Sequence, residues 1–324
     1  MSTATAAAPH RPFGTVLSAM VTPFTATGAL DLDAAAALAV HLVEHGHDGL
    51  VVSGTTGESP TTSDDEKDRL LRAVLDAVGD RARVVAGVGT NDTAHTVELA
   101  RSAEKAGAHG LLVVTPYYNK PPQAALAQHF TTVADASGLP VMLYDIPGRS
   151  GVPIDTETLV AVAAHERIVA VKDAKGDSMA TSWVLARTDL AYYSGDDAVN
   201  LPLLAQGACG IVSVVSHVAG REYAAMIAAL DAGDLVTART IHTELLPAVR
   251  GIMTRTQGAV AVKAALELTG VLTGRAVRQP LLAATPEEVD AIAADLSLAG
   301  LDTPENSARP NPTAAAAQAA GGAA

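Results

Sequence analysis

Short runs of β-branched and other apolar residues recur about every 20 to 35 residues, and this repeat restricts the possible folds more than any other sequence feature. Most runs are continuously apolar rather than alternating, as expected for strands that are covered on both faces. The sequence therefore predicts eight buried parallel strands, at residues 15–21, 49–53, 83–88, 110–114, 140–144, 168–172, 190–194 and 210–215.

Amphipathic helical patterns fill the intervals between these strands. The clearest covers residues 64–78, where Ser63 and Glu66 have the spacing of a capping box and Gly79 is a typical stop signal. After the last strand the pattern is purely helical, with predicted helices at 221–231, 234–250, 258–269 and 286–297.

Strands alternating with helices predict an α/β protein, here a closed (β/α)8 TIM barrel with a C-terminal helical appendage. A doubly wound open sheet is the competing architecture, but it usually has fewer strands. The predicted organisation is a low-complexity, disordered tail at 1–12, the catalytic barrel at 13–233, the helical region at 234–300 and a second disordered tail at 301–324.

The composition excludes several classes of protein. Hydrophobic residues make up 48% of the 324 residues, which is enough for a large buried core. A formal net charge of -13 argues against binding nucleic acid through its phosphates. No apolar run reaches the roughly 18 residues of a membrane span, and no signal peptide is visible, so we expect a cytoplasmic protein. The single cysteine, Cys209, is interpreted as a small buried residue rather than a nucleophile.

Lys172 closes the apolar run 168–171 and therefore lies at the end of a predicted strand, where TIM-barrel active sites are found. Burial there would lower the lysine pKa from about 10.4 toward neutrality and provide the free amine that forms Schiff bases. A structural ion pair with Asp173 or with another carboxylate is the alternative. The position alone does not decide between them.

At two other strand ends, those of the second and fifth strands, polar residues have both a functional and a structural interpretation. Residues 54–57 (GTTG) can bind a substrate carboxylate through backbone N–H groups, or form an ordinary glycine-rich turn, which the tetrapeptide alone favours. Tyr144, one strand before Lys172, can transfer protons or simply pack. Arg149 follows a Pro-Gly turn and can bind a carboxylate or form a surface salt bridge.

Other candidate motifs are weak. Residues 87–89 (GVG) lack the third glycine of a dinucleotide-binding fingerprint. His41 and His45, with His47 nearby, lack the glutamate of a zinc-protease motif, so a solvated helix face is the preferred interpretation. The acidic loop at 195–197 argues against a phosphorylated substrate.

Taken together, the strand-end motifs resemble one family, the dihydrodipicolinate synthase / N-acetylneuraminate lyase group of pyruvate-dependent class I aldolases. They occur in the family's order, each at the end of the expected strand, and the resemblance covers roughly residues 14–298. The matching strings are GTTGES at 54–59, TPYYN at 115–119, YDIPGRSG at 144–151, VKDA at 171–174 and SGDD at 194–197.

The resemblance implies four catalytic residues. Lys172 resembles the lysine that forms an imine with the carbonyl of pyruvate, and Tyr144 resembles the proton donor. Thr55 and Tyr118 would complete a hydrogen-bonded proton relay with that tyrosine. In the family the second tyrosine reaches in from the adjacent subunit, which would make a tight dimer a catalytic requirement.

Four substrate-binding residues are implied in the same way. Thr56 and the neighbouring backbone resemble the site for the pyruvate carboxylate. Arg149 resembles the arginine that binds the carboxylate of the second substrate, L-aspartate-4-semialdehyde. Val212 lies where a backbone carbonyl contacts the imine intermediate, and Gly195 is carried over from the SGDD string as a further binding position.

The implied reaction condenses pyruvate with L-aspartate-4-semialdehyde to 4-hydroxy-tetrahydrodipicolinate, in the diaminopimelate route to lysine, with no metal or organic cofactor. Arg149 and Tyr118 favour it over the lyase reaction, whose sugar acceptor offers no carboxylate at that position. Another aldolase or dehydratase of the family is the alternative; a catalytically silent binding or regulatory homologue is disfavoured by the intact catalytic set. The implied assembly is a homo-oligomer, a tight dimer that forms a tetramer as a dimer of dimers, without nucleic-acid or membrane partners.

The resemblance also carries an expectation about regulation. In lysine-inhibited members, histidines and a glutamate around the dimer interface form the feedback site. The aligned residues here are Asp64, Lys67 and His95, with Asn91 and Tyr117 retained. The charge of Lys67 would repel an amine-bearing inhibitor, so we expect weak or absent inhibition by L-lysine.

Overall fold

The computed structural model describes residues 10–301, and eight parallel strands in this part of the chain form a closed barrel. Each strand pairs with the next, and the first pairs with the eighth, so the predicted TIM barrel is confirmed. The strands are β1 (Val16–Ala19), β2 (Gly49–Val52), β3 (Arg83–Gly87), β4 (Gly110–Val114), β5 (Val141–Asp145), β6 (Ile168–Asp173), β7 (Ala191–Ser194) and β8 (Gly210–Ser213).

Helices follow the strands, and three more extend the chain beyond the barrel. Those of the barrel are α1 (Leu32–Glu44), α2 (Asp64–Val78), α3 (Thr93–Ala106), α4 (Gln123–Asp135), α5 (Pro147–Ser150), α6 (Thr156–Val162), α7 (Ser178–Leu185), α8 (Asn200–Gln206) and α9 (Ser216–Asp231). The C-terminal helices are α10 (Leu235–Thr254), α11 (Gly258–Leu268) and α12 (Pro286–Leu298).

The start of α2 follows directly from the sequence. Ser63 accepts a hydrogen bond from the Glu66 N–H, and the Glu66 carboxylate accepts one from the Ser63 N–H, which is the predicted capping box. Asp31 caps α1 in a similar way by accepting from the Ala34 N–H. These side chains satisfy N–H groups that no helical carbonyl can reach.

Two apolar clusters form the core. One fills the barrel interior and includes Phe13, Leu17, Tyr193 and Cys209, and the other lies between the strands and the helices. Cys209 is buried, and burial raises the pKa of its thiol to about 11, so the interpretation as a small buried residue is confirmed.

Three differences from the expected elements have physical causes. The apolar run of the first strand continues past β1, but the Val21 N–H donates to His217 Nε2 instead of to a strand. Helix α9 begins before the predicted 221 and is kinked at Ala219. At the next residue, Gly220, the helix packs so closely that a Cβ atom would come within 2.4 Å of the His45 carbonyl oxygen, a contact with a distant part of the chain that the local pattern does not show. Helix α10 continues past 250 to Thr254, so Gly251 lies inside the helix rather than at its end. A Cβ atom at Gly251 would come within 2.9 Å of Asp295 Cβ, so the glycine allows α12 to pack closely here.

The expectation of a solvated histidine face on α1 is wrong. His47 is 3% exposed, and His41 and His45 are half-buried with their rings stacked at 3.9 Å between centroids. The residues that cover them belong to α9, which brings His217 and Arg221 close to these rings. The sequence pattern could not reveal this neighbour because α9 lies far along the chain.

Most of the two predicted tails lies outside the described residues. At the N-terminal end, Arg11 donates to the Cys209 carbonyl and pairs with Asp231, so residues 10–12 are fixed to the barrel. The boundary between barrel and helical region, placed at 233/234, falls in the turn between α9 and α10 and stays a prediction. Within residues 10–301, none of the helices combines the length and the apolar character needed to cross a bilayer.

Candidate active site

A cavity of about 230 Å3 opens at the carboxyl ends of the strands. Side chains from several strand ends meet there because every strand of a parallel barrel points to the same face. Among its lining residues are Thr55, Tyr117, Tyr144 and Arg149.

Lys172 and Tyr144 are paired in register on the neighbouring strands β6 and β5. Both are almost fully buried, at 4% and 5% exposure, and Lys172 Nζ lies 4.1 Å from the centre of the tyrosine ring. Burial lowers the pKa of Lys172 to about 8, since a charged ammonium loses its hydration. The nearby Arg149 lowers it as well, whereas the carboxylate of Asp197 raises it. Burial also raises the pKa of Tyr144, so its phenol stays protonated at neutral pH.

Asp197 is the residue near this pair to which the sequence assigned no role. Its carboxylate is 2% exposed and accepts hydrogen bonds from the Ser213 hydroxyl at 2.5 Å and the Asn200 amide at 3.0 Å. The N–H groups of Val214 and Val215 donate to its second oxygen at 2.9 and 3.0 Å. Four donors keep the carboxylate in place, and the SGDD string was the signal that could have identified it.

Gly195 lies against the stem of Lys172. A Cβ atom at this position would come within 2.8 Å of Lys172 Cγ and 2.9 Å of Cε. Glycine therefore leaves the space that the lysine side chain occupies, and a larger residue would displace it.

The loop after β2 is a compact turn with Thr56 buried and Thr55 exposed to the cavity. The Thr22 hydroxyl donates to the Gly57 carbonyl at 2.6 Å, and the Glu58 N–H donates to the Thr55 carbonyl at 3.1 Å. Gly54 and Thr55 thus line the cavity, and Thr56 is buried next to them. Backbone N–H groups of a compact turn are a common binding site for anions.

The other predicted site residues differ in position. Arg149 lies on α5, exposed beside the cavity, whereas Val212 is fully buried in β8 among the residues of the barrel interior that include Tyr144. Tyr118 is 89% exposed and has φ 74°, an unusual backbone conformation for a bulky residue. A single chain thus brings together Lys172, Tyr144, Thr55 and Arg149, but not Tyr118.

The residues aligned with the feedback site form a small cluster of their own. His95 Nε2 and Asp64 Oδ2 are 2.9 Å apart, and Lys67 Nζ lies 3.7 Å from the other Asp64 oxygen. Lys67 also donates to the Thr62 carbonyl at 2.6 Å. A cation of the chain itself thus lies at this cluster, and the expected insensitivity to L-lysine stays a prediction.

The chain matches one family of known proteins. The family model described as the dihydrodipicolinate synthetase family matches residues 12–299. A 4-hydroxy-tetrahydrodipicolinate synthase of Kineococcus radiotolerans is 89% identical over 93% of this chain and 98% of its own length. The enzyme of the same name from Acidothermus cellulolyticus is 69% identical over 89% of this chain and 93% of its own.

A solved structure of the same family has the same fold. The crystal structure of a dihydrodipicolinate synthase from Cyanidioschyzon merolae, determined with lysine bound, superposes with a TM-score of 0.87. It is 40% identical and covers 90% of this chain and 100% of its own.

Proposed function

The chain belongs to the dihydrodipicolinate synthetase family, and we propose that Lys172 is the residue on which it condenses pyruvate with L-aspartate-4-semialdehyde. The activity of the chain is that of its relatives, a lyase that forms 4-hydroxy-tetrahydrodipicolinate. The observation that carries the assignment of Lys172 is its burial at a strand end, paired with Tyr144.

The first step is attack of the Lys172 amine on the ketone carbon of pyruvate. The amine must be neutral to attack, and a pKa of about 8 leaves a useful fraction in that form near neutral pH. The carbinolamine then loses its hydroxyl as water to give the protonated imine. Thr56 and the adjacent N–H groups of the turn hold the pyruvate carboxylate meanwhile.

Proton transfer to the departing hydroxyl is assigned to Tyr144, whose pKa is raised so that it holds its proton until the step requires it. Thr55 and Tyr118 pass protons between Tyr144 and solvent. Because Tyr118 is almost fully exposed in one chain, we assign this last position to the tyrosine of a neighbouring subunit. A tight dimer, and a tetramer built from two such dimers, belong to this proposal.

Carbon–carbon bond formation follows from the imine. The positive imine nitrogen accepts electrons when the methyl group of pyruvate loses a proton to the phenolate that Tyr144 became in the previous step, which yields an enamine. The enamine carbon attacks the aldehyde carbon of the semialdehyde, whose carboxylate is held by Arg149, and the aldehyde oxygen takes a proton from the Tyr144 relay. The amino group of the semialdehyde then attacks the imine carbon and displaces the Lys172 amine, which closes the ring.

Val212 is assigned to contact the intermediate through its backbone carbonyl, and Gly195 leaves room for the stem of Lys172. No step needs a metal or an organic cofactor, since the imine itself is the electron acceptor. We place the reaction in the cytoplasm.

The test is reduction with borohydride in the presence of pyruvate. The reagent should attach pyruvate to Lys172, and mass spectrometry should find the added mass on that residue. Lys172→Ala should abolish both the adduct and turnover of the semialdehyde, while Lys105→Ala, at an exposed lysine on α3, should retain both.

Three other outcomes separate the alternatives. Trapping without semialdehyde turnover, together with cleavage or synthesis using N-acetylmannosamine as acceptor, would assign the chain to another reaction of the family. Trapping of pyruvate without turnover of either acceptor would support imine formation on Lys172 and exclude both acceptors as substrates. No trapping would contradict the proposed role of Lys172.

A further inference from the structure

A buried ion pair joins the turn after β2 to the C-terminal helices. Glu58 follows the GTTG turn, and Lys263 lies in α11, 205 residues further along the chain. Their side chains meet at 2.5 Å between Lys263 Nζ and Glu58 Oε1. Glu58 is 3% exposed and Lys263 is not exposed at all, so water does not weaken the attraction.

Additional bonds fix both charges. Lys263 Nζ also donates to the Ala276 carbonyl at 2.8 Å, and the second oxygen of Glu58 accepts from the Arg278 N–H at 2.9 Å. The ring of Phe24 lies 4.3 Å from the Lys263 ammonium and at the same distance from the Arg278 guanidinium. Glu58 is therefore held by two separate parts of the C-terminal region.

Arg278 extends the same connection to the start of α2. Its guanidinium donates to both oxygens of Glu66, at 2.8 and 2.6 Å, and to the Thr61 carbonyl at 2.8 Å. The segment from Glu58 to Glu66 is thus bound at both ends by residues that lie outside the barrel.

The turn needs such support because of its backbone conformation. Ser53 and Glu58, which flank Gly54–Gly57, have φ values of 56° and 54°. Residues other than glycine rarely adopt positive φ, and they keep it only where the surrounding structure requires it. At Glu58 the surrounding structure is the pair with Lys263, two residues from Thr56.

We propose that Lys263 is a positioning residue for pyruvate binding, which acts through Glu58 to hold the turn that carries Thr55 and Thr56. This rests on the proposed function, since it assumes that the turn holds the pyruvate carboxylate. Lys263 does not line the cavity, so it acts only through the position of the turn. Thr56 of that turn is assigned to the pyruvate carboxylate and Thr55 to the proton relay, so the main effect of Lys263 is on pyruvate binding and a smaller one is on the proton transfers.

The test is Lys263→Met, which keeps the length of the side chain and removes its charge. We expect the KM for pyruvate, and the pyruvate concentration that half-saturates borohydride trapping, to rise about 10- to 100-fold, because small displacements of a binding group are costly. The kcat at saturating pyruvate should fall by a smaller factor, through the displacement of Thr55. The KM for the semialdehyde should stay close to that of the unmodified chain.

Asp295→Asn is the matched control. Asp295 is also a fully buried carboxylate of the C-terminal region, and it pairs with Arg250 and Arg255, far from the turn after β2. Its substitution should lower the melting temperature but leave the pyruvate KM unchanged. An equal rise in pyruvate KM in both variants would overturn the proposal, because the effect would then be general destabilisation.

Arg278→Met gives the answer if Lys263→Met does not fold. It removes the bonds to Glu66 and Thr61 from a partly exposed position, and it should raise the pyruvate KM in the same selective way. An unchanged pyruvate KM in the folded variants would overturn the positioning role alone. Absence of trapping in the unmodified chain would overturn the proposed function, and this inference with it.

Discussion

Lys172 and Tyr144 occupy the same register position on adjacent parallel strands, and the lysine Nζ lies over the tyrosine ring, 4.1 Å from its centre. Register pairing fixes the two Cα atoms on neighbouring strands, so the distance between the side chains depends on their rotamers alone. Burial of both then raises the pKa of the phenol and lowers that of the ammonium. An amine with a neutral fraction and a phenol that keeps its proton thus lie side by side.

Tyr144→Phe separates the two parts of this arrangement. The phenyl ring keeps the packing against Lys172, but the hydroxyl that transfers protons is lost. We expect kcat for semialdehyde condensation to fall about 100-fold or more, the usual contribution of a positioned acid–base group. Steady-state kinetics measure this, and an unchanged kcat would exclude Tyr144 as the proton donor.

The rate of imine formation should depend on pH through Lys172. With a folded pKa of about 8, the amine is mostly protonated below that pH and mostly free above it. The initial rate of borohydride trapping with pyruvate should therefore rise between about pH 7 and 9 and then level off. A rise in the trapping rate with its midpoint near pH 10.4, the ordinary pKa of lysine, would show that burial does not lower this pKa in solution.

Arg149→Gln should affect the second substrate more than the first. Losing a charge-assisted bond to a carboxylate should raise the semialdehyde KM about 10- to 100-fold and leave the pyruvate KM nearly unchanged. Because the Arg149 charge lowers the pKa of Lys172, the trapping midpoint should also move to higher pH. Arg187→Gln, at an exposed arginine stacked on Trp183, is the control that should change neither.

Tyr118 offers a test of a shared active site. Lys172→Ala and Tyr118→Phe chains should each be nearly inactive alone. If the tyrosine acts on the neighbouring subunit, a mixed dimer has one intact site, and co-expression should restore about a quarter of the unmodified activity. If the tyrosine acts within its own chain, every site in the mixed dimer is damaged and activity stays near the level of the single variants.

The buried histidines predict acid sensitivity of the fold. Burial lowers the pKa of His47 to about 3, so the ring stays neutral in the folded chain while it protonates near 6.5 in the unfolded chain. The unfolded state therefore binds more protons below pH 6.5, and stability falls as the pH falls, by about 2 kcal/mol from this residue at about pH 5. Thermal melts against pH measure the slope.

His47→Asn should reduce that slope, since an amide can still donate to the Leu42 carbonyl, as the ring Nδ1 does, and does not titrate. His10→Asn, at an exposed position, is the control. His217, His41 and His45 face His47, and burial lowers the pKa of each of them as well. They continue to make stability depend on pH in the variant, so the slope should be reduced rather than abolished. An identical slope in the His47 variant would show that other groups govern acid unfolding.

The barrel could be predicted from the sequence because its signals are local. Strands covered on both sides are apolar throughout, and the capping box of α2 involves residues only three positions apart. Local signals mislead about helix ends and burial where a residue packs against a part of the chain that is distant in sequence. Gly251 has the residue type of a helix end, but it lies inside α10 and makes room for Asp295. The histidines at the end of α1 have the spacing of an exposed helix face, but residues of α9 cover them.

The site shows the same division. Lys172 and Tyr144 could be found because each ends an apolar run, and their pairing follows from the strand order. The contacts that hold the site around these two residues could not be predicted from apolar runs and strand order. Asp197 and Ser213 come from different strand ends, and Glu58 and Lys263 from regions whose contact exists only after the helices have packed.

The separation between Glu58 and Lys263 has a consequence for how the chain matures on the ribosome. All eight strands and every residue assigned to the chemistry have been synthesised once Ser213 is added, well before Lys263. A nascent barrel can therefore close while the turn after β2 still lacks its partner. If Lys263 positions the turn as proposed, the chain becomes competent to bind pyruvate only after α11 has been translated, so that the barrel closes before the site can act.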